Sequence, residues 1–283
     1  MKFSAITGRV GRILLALVPL VAVACGAATA SDPEPFYERN NQQWLEAIEP
    51  GGVVRVFNPY GNVYARFGGY EHEVELQATV QRLEPERPGL AVEVARAGSG
   101  LEVRVGYPAG SDGSRIDADG PIDTRDRIDL VIFVPEETTF DVETIDGRIE
   151  AKGLHSDVNA ASKTGEIMLR KLGGRVRVTN ERGRVSAMLQ TGVTDRPQEI
   201  VTVTGEIEVH VWEDANLDVK VATSGEISTD FSMTIEHRRF EEPGKHAAAV
   251  VGKGGPKLTL RSKRGRVRLL RLQKNFKPEP QSE

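Results

Sequence analysis

Three copies of one short phrase at equal spacing restrict this chain more than any other feature. They read Thr144-Ile-Asp-Gly147-Arg-Ile149, Ser162-Lys-Thr-Gly165-Glu-Ile167 and Asn180-Glu-Arg-Gly183-Arg-Val185. Each copy has a small polar residue, a glycine three positions on, a charge, and a β-branched apolar residue. Both intervals between the glycines are 18 residues. A fixed period near 20 residues belongs to stacked architectures, in which each repeat completes the core of its neighbour. The phrase returns around Gly61, Gly205, Gly225 and Gly265.

Turn chemistry accounts for the phrase. Ser, Thr or Asn at the first position of a type I turn bonds back to the turn, and glycine at the fourth tolerates positive φ. Gly61, Gly147, Gly165, Gly183, Gly205, Gly225 and Gly265 are therefore expected to be structural turn residues in left-handed conformation. The spacing of three fails only at Ala222. There the Leu217, Val219, Val221 alternation is out of step with Gly225 by one residue, which predicts a bulge or slip.

From Val53 onwards apolar residues alternate with polar ones, the mark of half-buried strands. Aromatics are only 6% and glycines number 29, which suits narrow layers. The expected class is all-β, a β-solenoid or β-helix-like stack of rungs of about 18–22 residues. An antiparallel β-sandwich is the alternative, since tight turns also make hairpins. Constant rung length favours the stack. Residues 68–135 read as longer strands inserted into one layer, and 233–256, rich in charge, Gly and Pro, as a loop. Asn41 ahead of Trp44, Leu45 and Ile48, closed by Pro50-Gly51-Gly52, predicts a two-turn capping helix.

The expected organisation is a signal peptide over 1–30, a tether with that helix over 31–50, the β domain over 51–275 and a disordered tail over 276–283. Lys2, Arg9 and Arg12 precede an apolar run at 13–24, too short for the ~20 residues of a membrane-spanning helix. Ala28-Thr29-Ala30 offers a small-x-small cleavage site, while Cys25, the only cysteine, offers a lipidation site after Ala22-Val23-Ala24. Both routes predict export, to the periplasm or outer envelope.

The repeated polar-x-x-Gly-[Glu/Arg]-[Ile/Val] phrase, the early Asn58-Pro-Tyr-Gly61-Asn-Val63 and the strand ending Val134-Pro135 resemble a bacterial family described as "putative adhesin". The resemblance covers about residues 51–272. It implies an exported β-repeat domain and transfers no binding residues.

Charged residues after the glycines, Glu166, Glu206 and Glu226 against Arg148, Arg184 and Arg266, follow no shared register along the chain. Nothing forces the convergent carboxylate pair that acid–base catalysis needs. Asp117, Asp119 and Asp123 alternate around Gly120 and form a calcium candidate, without the full loop signature. The five histidines share no ligand spacing, and no cofactor motif is present.

Charge is distributed unevenly. Residues 243–278 hold eleven Lys and Arg and no acid, against a whole-chain net charge of −4. In a stack this predicts a basic C-terminal end bearing Arg261, Lys263, Arg264, Arg266, Arg268 and Arg271. Such an end would resist edge pairing, meet an anionic lipid, lipopolysaccharide or wall polymer, or drive self-association on the acidic N-terminal rungs. Export disfavours nucleic acid. The expected function is a non-catalytic, adhesin-like envelope module. A carbohydrate-active β-helix enzyme and an envelope-stress or signalling accessory are the alternatives. Radiolabelled palmitate separates the two processing routes: cleavage after Ala30 predicts no label, and lipidation at Cys25 predicts label.

Overall fold

The computed structural model describes residues 38–82, 89–107, 126–189, 196–212 and 214–272. The contacts divide the chain into Met1–Pro35 and Phe36–Glu283, and every described strand lies in the second unit. Its first part holds β1 (Glu38–Ala47), β2 (Val53–Tyr60), β3 (Val63–Phe67), β4 (Glu73–Arg82), β5 (Ala91–Ala97), β6 (Gly100–Gly106) and β7 (Asp126–Val134). The middle holds β8 (Thr139–Asp146), β9 (Ile149–Lys152), β10 (Val158–Ser162), β11 (Ile167–Leu172), β12 (Val176–Asn180), β13 (Val185–Leu189), β14 (Gln198–Thr202) and β15 (Ile207–Trp212). The last part holds β16 (Leu217–Thr223), β17 (Ile227–Thr229), β18 (Thr234–His237), β19 (Lys245–Val251), β20 (Lys257–Ser262) and β21 (Val267–Leu272).

These strands form two sheets, and the all-β class holds. The first sheet runs β1-β4-β7-β3-β9-β11-β13-β15-β21-β17; the second runs β18-β19-β16-β20-β14-β12-β10-β8-β2-β6-β5. From β8 to β15 the chain alternates between sheets, and each strand pairs in parallel with the equivalent strand one turn of chain away. Phe140, Val158 and Val176 share one row, 18 residues apart. Antiparallel pairs all involve β1, β4, β5, β18 or β19. Inward Val, Ile, Leu and Ala from both sheets fill the core, with Phe140 its largest fully buried side chain. Each such Val, Leu or Ile contributes about 1.5–3 kcal/mol.

Glycine is needed at the turns for a reason other than backbone twist. Of the seven turn glycines only Gly61 (φ 130°) is well inside the positive-φ region; Gly147 (φ 158°) is close to extended. A Cβ on Gly165 would overlap the carbonyl oxygen of Gly147, one on Gly183 that of Gly165, and one on Gly205 that of Gly183. Gly265 would meet Gly205, and Gly225 would meet Gly265. The turns stack backbone on backbone, and only a residue without a side chain fits between them.

The polar residue three positions earlier is buried and wires this contact. Asn180 Nδ2 donates to Gly165 O (2.8 Å), and its Oδ1 accepts from Gly183 N–H (3.0 Å). Ser262 Oγ donates to Gly205 O (3.2 Å) and accepts from Gly265 N–H (2.8 Å). Thr144 Oγ1 donates to Ser162 Oγ (2.9 Å), whose rung is next in the stack. The slip predicted near Gly225 is present: buried Thr223, two residues before the glycine, donates to Gly265 O (2.6 Å) and accepts from Gly225 N–H (2.9 Å).

Three expectations are corrected. Residues 41–47 belong to a strand, not a helix: β1 pairs along its whole length with β4, from Glu38↔Arg82 to Ala47↔Glu73. Two helical turns leave most of their polar groups unpaired and are costly to nucleate, whereas the edge of β4 satisfies one side of the strand. The span read as a loop, 233–256, contains β18 and β19, because the open edge of β16 takes up β19 and buries Ala247, Ala249 and Val251. The described strands of 68–135 add an outer layer, β6 beside β2 and β7 beside β3, with β4 and β5 antiparallel to it.

The close approach predicts that Gly183→Ala costs at least about 3 kcal/mol, the upper range for overpacking. Gly98, at φ 63° with open space around its Cβ position, should cost only about 1–2 kcal/mol on the same change. Urea unfolding of the two variants measures this; equal losses would mean that backbone twist, not stacking, selects the turn glycines.

Candidate functional site

The outward side chains fall into rows that cross the strands, one residue per strand. In the row following the turn glycines, Arg148, Glu166, Arg184, Glu206, Arg266 and Glu226 stand in spatial sequence, linked by backbone bonds such as Ile167 N–H to Arg184 O (2.9 Å) and Val267 N–H to Glu226 O (2.9 Å). Basic and acidic residues alternate without a break. The register that was absent along the chain is present in space, because β21 lies between β15 and β17. Arg148 meets Glu166 at 3.1 Å and Arg266 meets Glu226 at 3.1 Å.

The next outward row contains a carboxylate with three side-chain partners. Glu208 accepts from Arg184 (2.8 Å), Arg268 (2.6 Å) and His210 Nε2 (2.8 Å). Burial pushes its carboxyl up, but the His210 hydrogen bond and the charge and hydrogen bond of Arg184 outweigh that effect, so the net shift is below 4.5. A carboxylate held ionised in this way is a structural acceptor, not a proton donor.

The second sheet carries an open depression of about 650 Å³ on its outer face. One row there reads Phe57, Glu143, Ala161, Thr179 and Val201 across β2, β8, β10, β12 and β14. The side chains shrink after Glu143, so Ala161 and Thr179 form the floor. Arg55, Asp141, Asn159 and Arg177, from the adjacent row, form one wall. Arg104 stands over the Phe57 ring at 5.3 Å and closes one end. Floor and walls come from five consecutive strands in fixed register, so the surface is held rigid before any partner arrives.

The six basic residues predicted near the C-terminus do not form an end. β20 and β21 are inserted between β14–β15 and β16–β17, so their rung is internal. Lys263 and Arg264 both pair with Glu242 (3.1 and 2.7 Å) and hold its carboxyl below the usual range. Arg266 pairs with Glu226 and Arg268 with Glu208. Arg271 N–H reaches Asp230 Oδ2 (2.9 Å), and its guanidinium lies over Phe231 at 5.0 Å. Arg261 lines a second, smaller depression with Lys220, Ala222 and His246. Cys25 and the calcium candidates Asp117, Asp119 and Asp123 lie outside the described residues. Sequence reasoning missed Arg55, Asp141, Ala161 and Arg177 because they belong to no motif; aligning the strands in register would have placed them on one face.

No family model and no curated protein matches the chain. Several solved structures share similarity with it over most of its length, at low identity. A putative cell adhesion protein from Clostridium sporogenes has TM-score 0.44 and 12% identity, covering 82% of this chain and 100% of that one. A putative adhesin from Bacteroides fragilis has TM-score 0.32 and 10% identity, covering 84% and 99%. A putative adhesin from Parabacteroides merdae has TM-score 0.19 and 10% identity, covering 82% and 96%.

The Glu208 cluster yields a pH prediction. Its folded carboxyl is depressed, so its stabilisation is present above about pH 4.5 and is lost as pH falls through the lower folded value. Glu208→Gln should cost about 1 kcal/mol at pH 7, discounted because the arginines remain partly exposed. In chemical denaturation the difference from wild type should narrow as pH falls below about 4. A difference constant with pH would show that the carboxylate charge contributes nothing.

Proposed function

We propose that this chain is a non-catalytic interaction module, adhesin-like and exported to the cell envelope, that holds its partner on the outer face of the second sheet. The observation carrying this reading is the open depression floored by Ala161 and Thr179, walled by the row Arg55, Asp141, Asn159 and Arg177 and closed at one end by Arg104. A rigid, shallow surface of mixed charge suits a polar partner that lies across strands, and its rigidity lowers the ordering cost of binding. The N-terminal basic and apolar segments with Ala28-Thr29-Ala30 support export.

Binding of the labelled protein to isolated envelopes tests the reading. Ala161→Arg, which fills the floor, should weaken binding at least tenfold, or about 1.4 kcal/mol, while changing stability by less than about 0.5 kcal/mol. Undiminished binding would place the contact elsewhere. New reducing ends released from envelope polysaccharide would make the protein an enzyme.

A further inference from the structure

Parallel, in-register strands set residues of equivalent position directly opposite one another, about 4.8 Å apart. Like charges so placed repel. Among the registered pairs of the parallel strands, oppositely charged partners are the rule: Arg55 faces Glu102 and Asp141, Arg177 faces Glu199, Glu208 faces Arg268, and Asp218 faces Lys257. Two pairs break it, and they adjoin. Arg66 on β3 faces Lys152 on β9, and Lys152 faces Arg170 on β11. Three cations thus stand in line on three consecutive strands of the first sheet.

The protein neutralises little of this charge. Arg66 pairs with Glu150 (2.9 Å). The side chains of Lys152 and Arg170 make no ion pair or hydrogen bond among the described residues, and exposed Lys171 follows at a bulge (φ 54°). The row is bounded by apolar side chains, Phe133 facing Arg66 and Met188 facing Arg170. Tyr64, two residues from Arg66 and so on the same face, has its ring 5.6 Å from the Arg66 guanidinium.

We infer that the Arg66–Lys152–Arg170 row binds a linear acidic polysaccharide, with carboxylates on the cations and a sugar ring against the Tyr64 side chain. The cations recur once per strand, about 4.8 Å apart, so a linear polymer carrying closely spaced carboxylates can engage more than one of them at once. The site is separate from the depression on the second sheet and does not depend on it.

The test uses the full chain with polygalacturonate, which carries one carboxylate per ring. Wild type should melt at a higher temperature in its presence, and the shift should vanish near 1 M salt, where screening acts over about 3 Å. Methyl-esterified polygalacturonate, uncharged on the same backbone, should give no shift. Lys152→Glu sets an acid between two arginines, so the unliganded variant should melt above wild type yet bind polygalacturonate at least tenfold more weakly. A gain in stability with a loss of binding is not produced by damage to the fold. Ala161→Arg should bind polygalacturonate like wild type, which separates this site from the other face. An unchanged wild-type melting temperature with polygalacturonate, or equal binding by Lys152→Glu, would overturn the inference. Tighter capture by phosphatidylglycerol vesicles than by polygalacturonate would also overturn it, in favour of a membrane.

Discussion

Everything in this structure follows from stacking one turn on another at a single strand spacing. When Gly165 lies against the carbonyl of Gly147 and Gly183 against that of Gly165, there is no room for a side chain at those points. The same approach buries backbone polar groups that need partners, and unpaired groups of that kind are costly. Asn180, Ser262 and Thr223 supply those partners from inside the turn. Glycine and the polar residue before it are two halves of one requirement.

The constraint extends to the surface. A perfectly repeated sequence would place like charge on like charge in every row, so the rungs must differ in a regulated way. Arg148, Glu166, Arg184 and Glu206 alternate in chain order because their rungs are consecutive. Glu206 and Glu226 would break that alternation if their rungs touched. The chain instead carries β16–β17 one place further out, returns through β18 and β19, and fills the gap with β20–β21, which brings Arg266 between the two acids. A comparable device operates at the other end, where β6 and β7 lie outside β2 and β3 although they follow them in the chain.

The repeat, the strand class and the slip before Gly225 were legible in the sequence because each depends on residues within one rung. Order among rungs was not, since it depends on pairings made across long stretches of chain. The two consecutive acids Glu206 and Glu226 were the available signal for the inserted rung. The helix expected at 41–48 failed because a short amphipathic pattern does not reveal that a bare strand edge is waiting for it. The basic cluster was visible, but its neutralisation by Glu242, Glu226 and Glu208 required the fold. Binding surfaces are hardest to read this way, because the floor at Ala161 and the Lys152 row are defined by what neighbouring rungs omit.

The central claim is the order and register of the rungs, and cysteine cross-linking tests it most directly. Parallel neighbours at this spacing fall within the 4.4–6.8 Å Cα separation that a disulfide spans. With Cys25 replaced, cysteines at 208 and 268, or at 268 and 228, should cross-link under mild oxidation, because Glu208 faces Arg268 and Arg268 faces Ser228. Cysteines at 208 and 228 should not, since β21 stands between them. Efficient cross-linking of 208 to 228, with none through 268, would contradict the account.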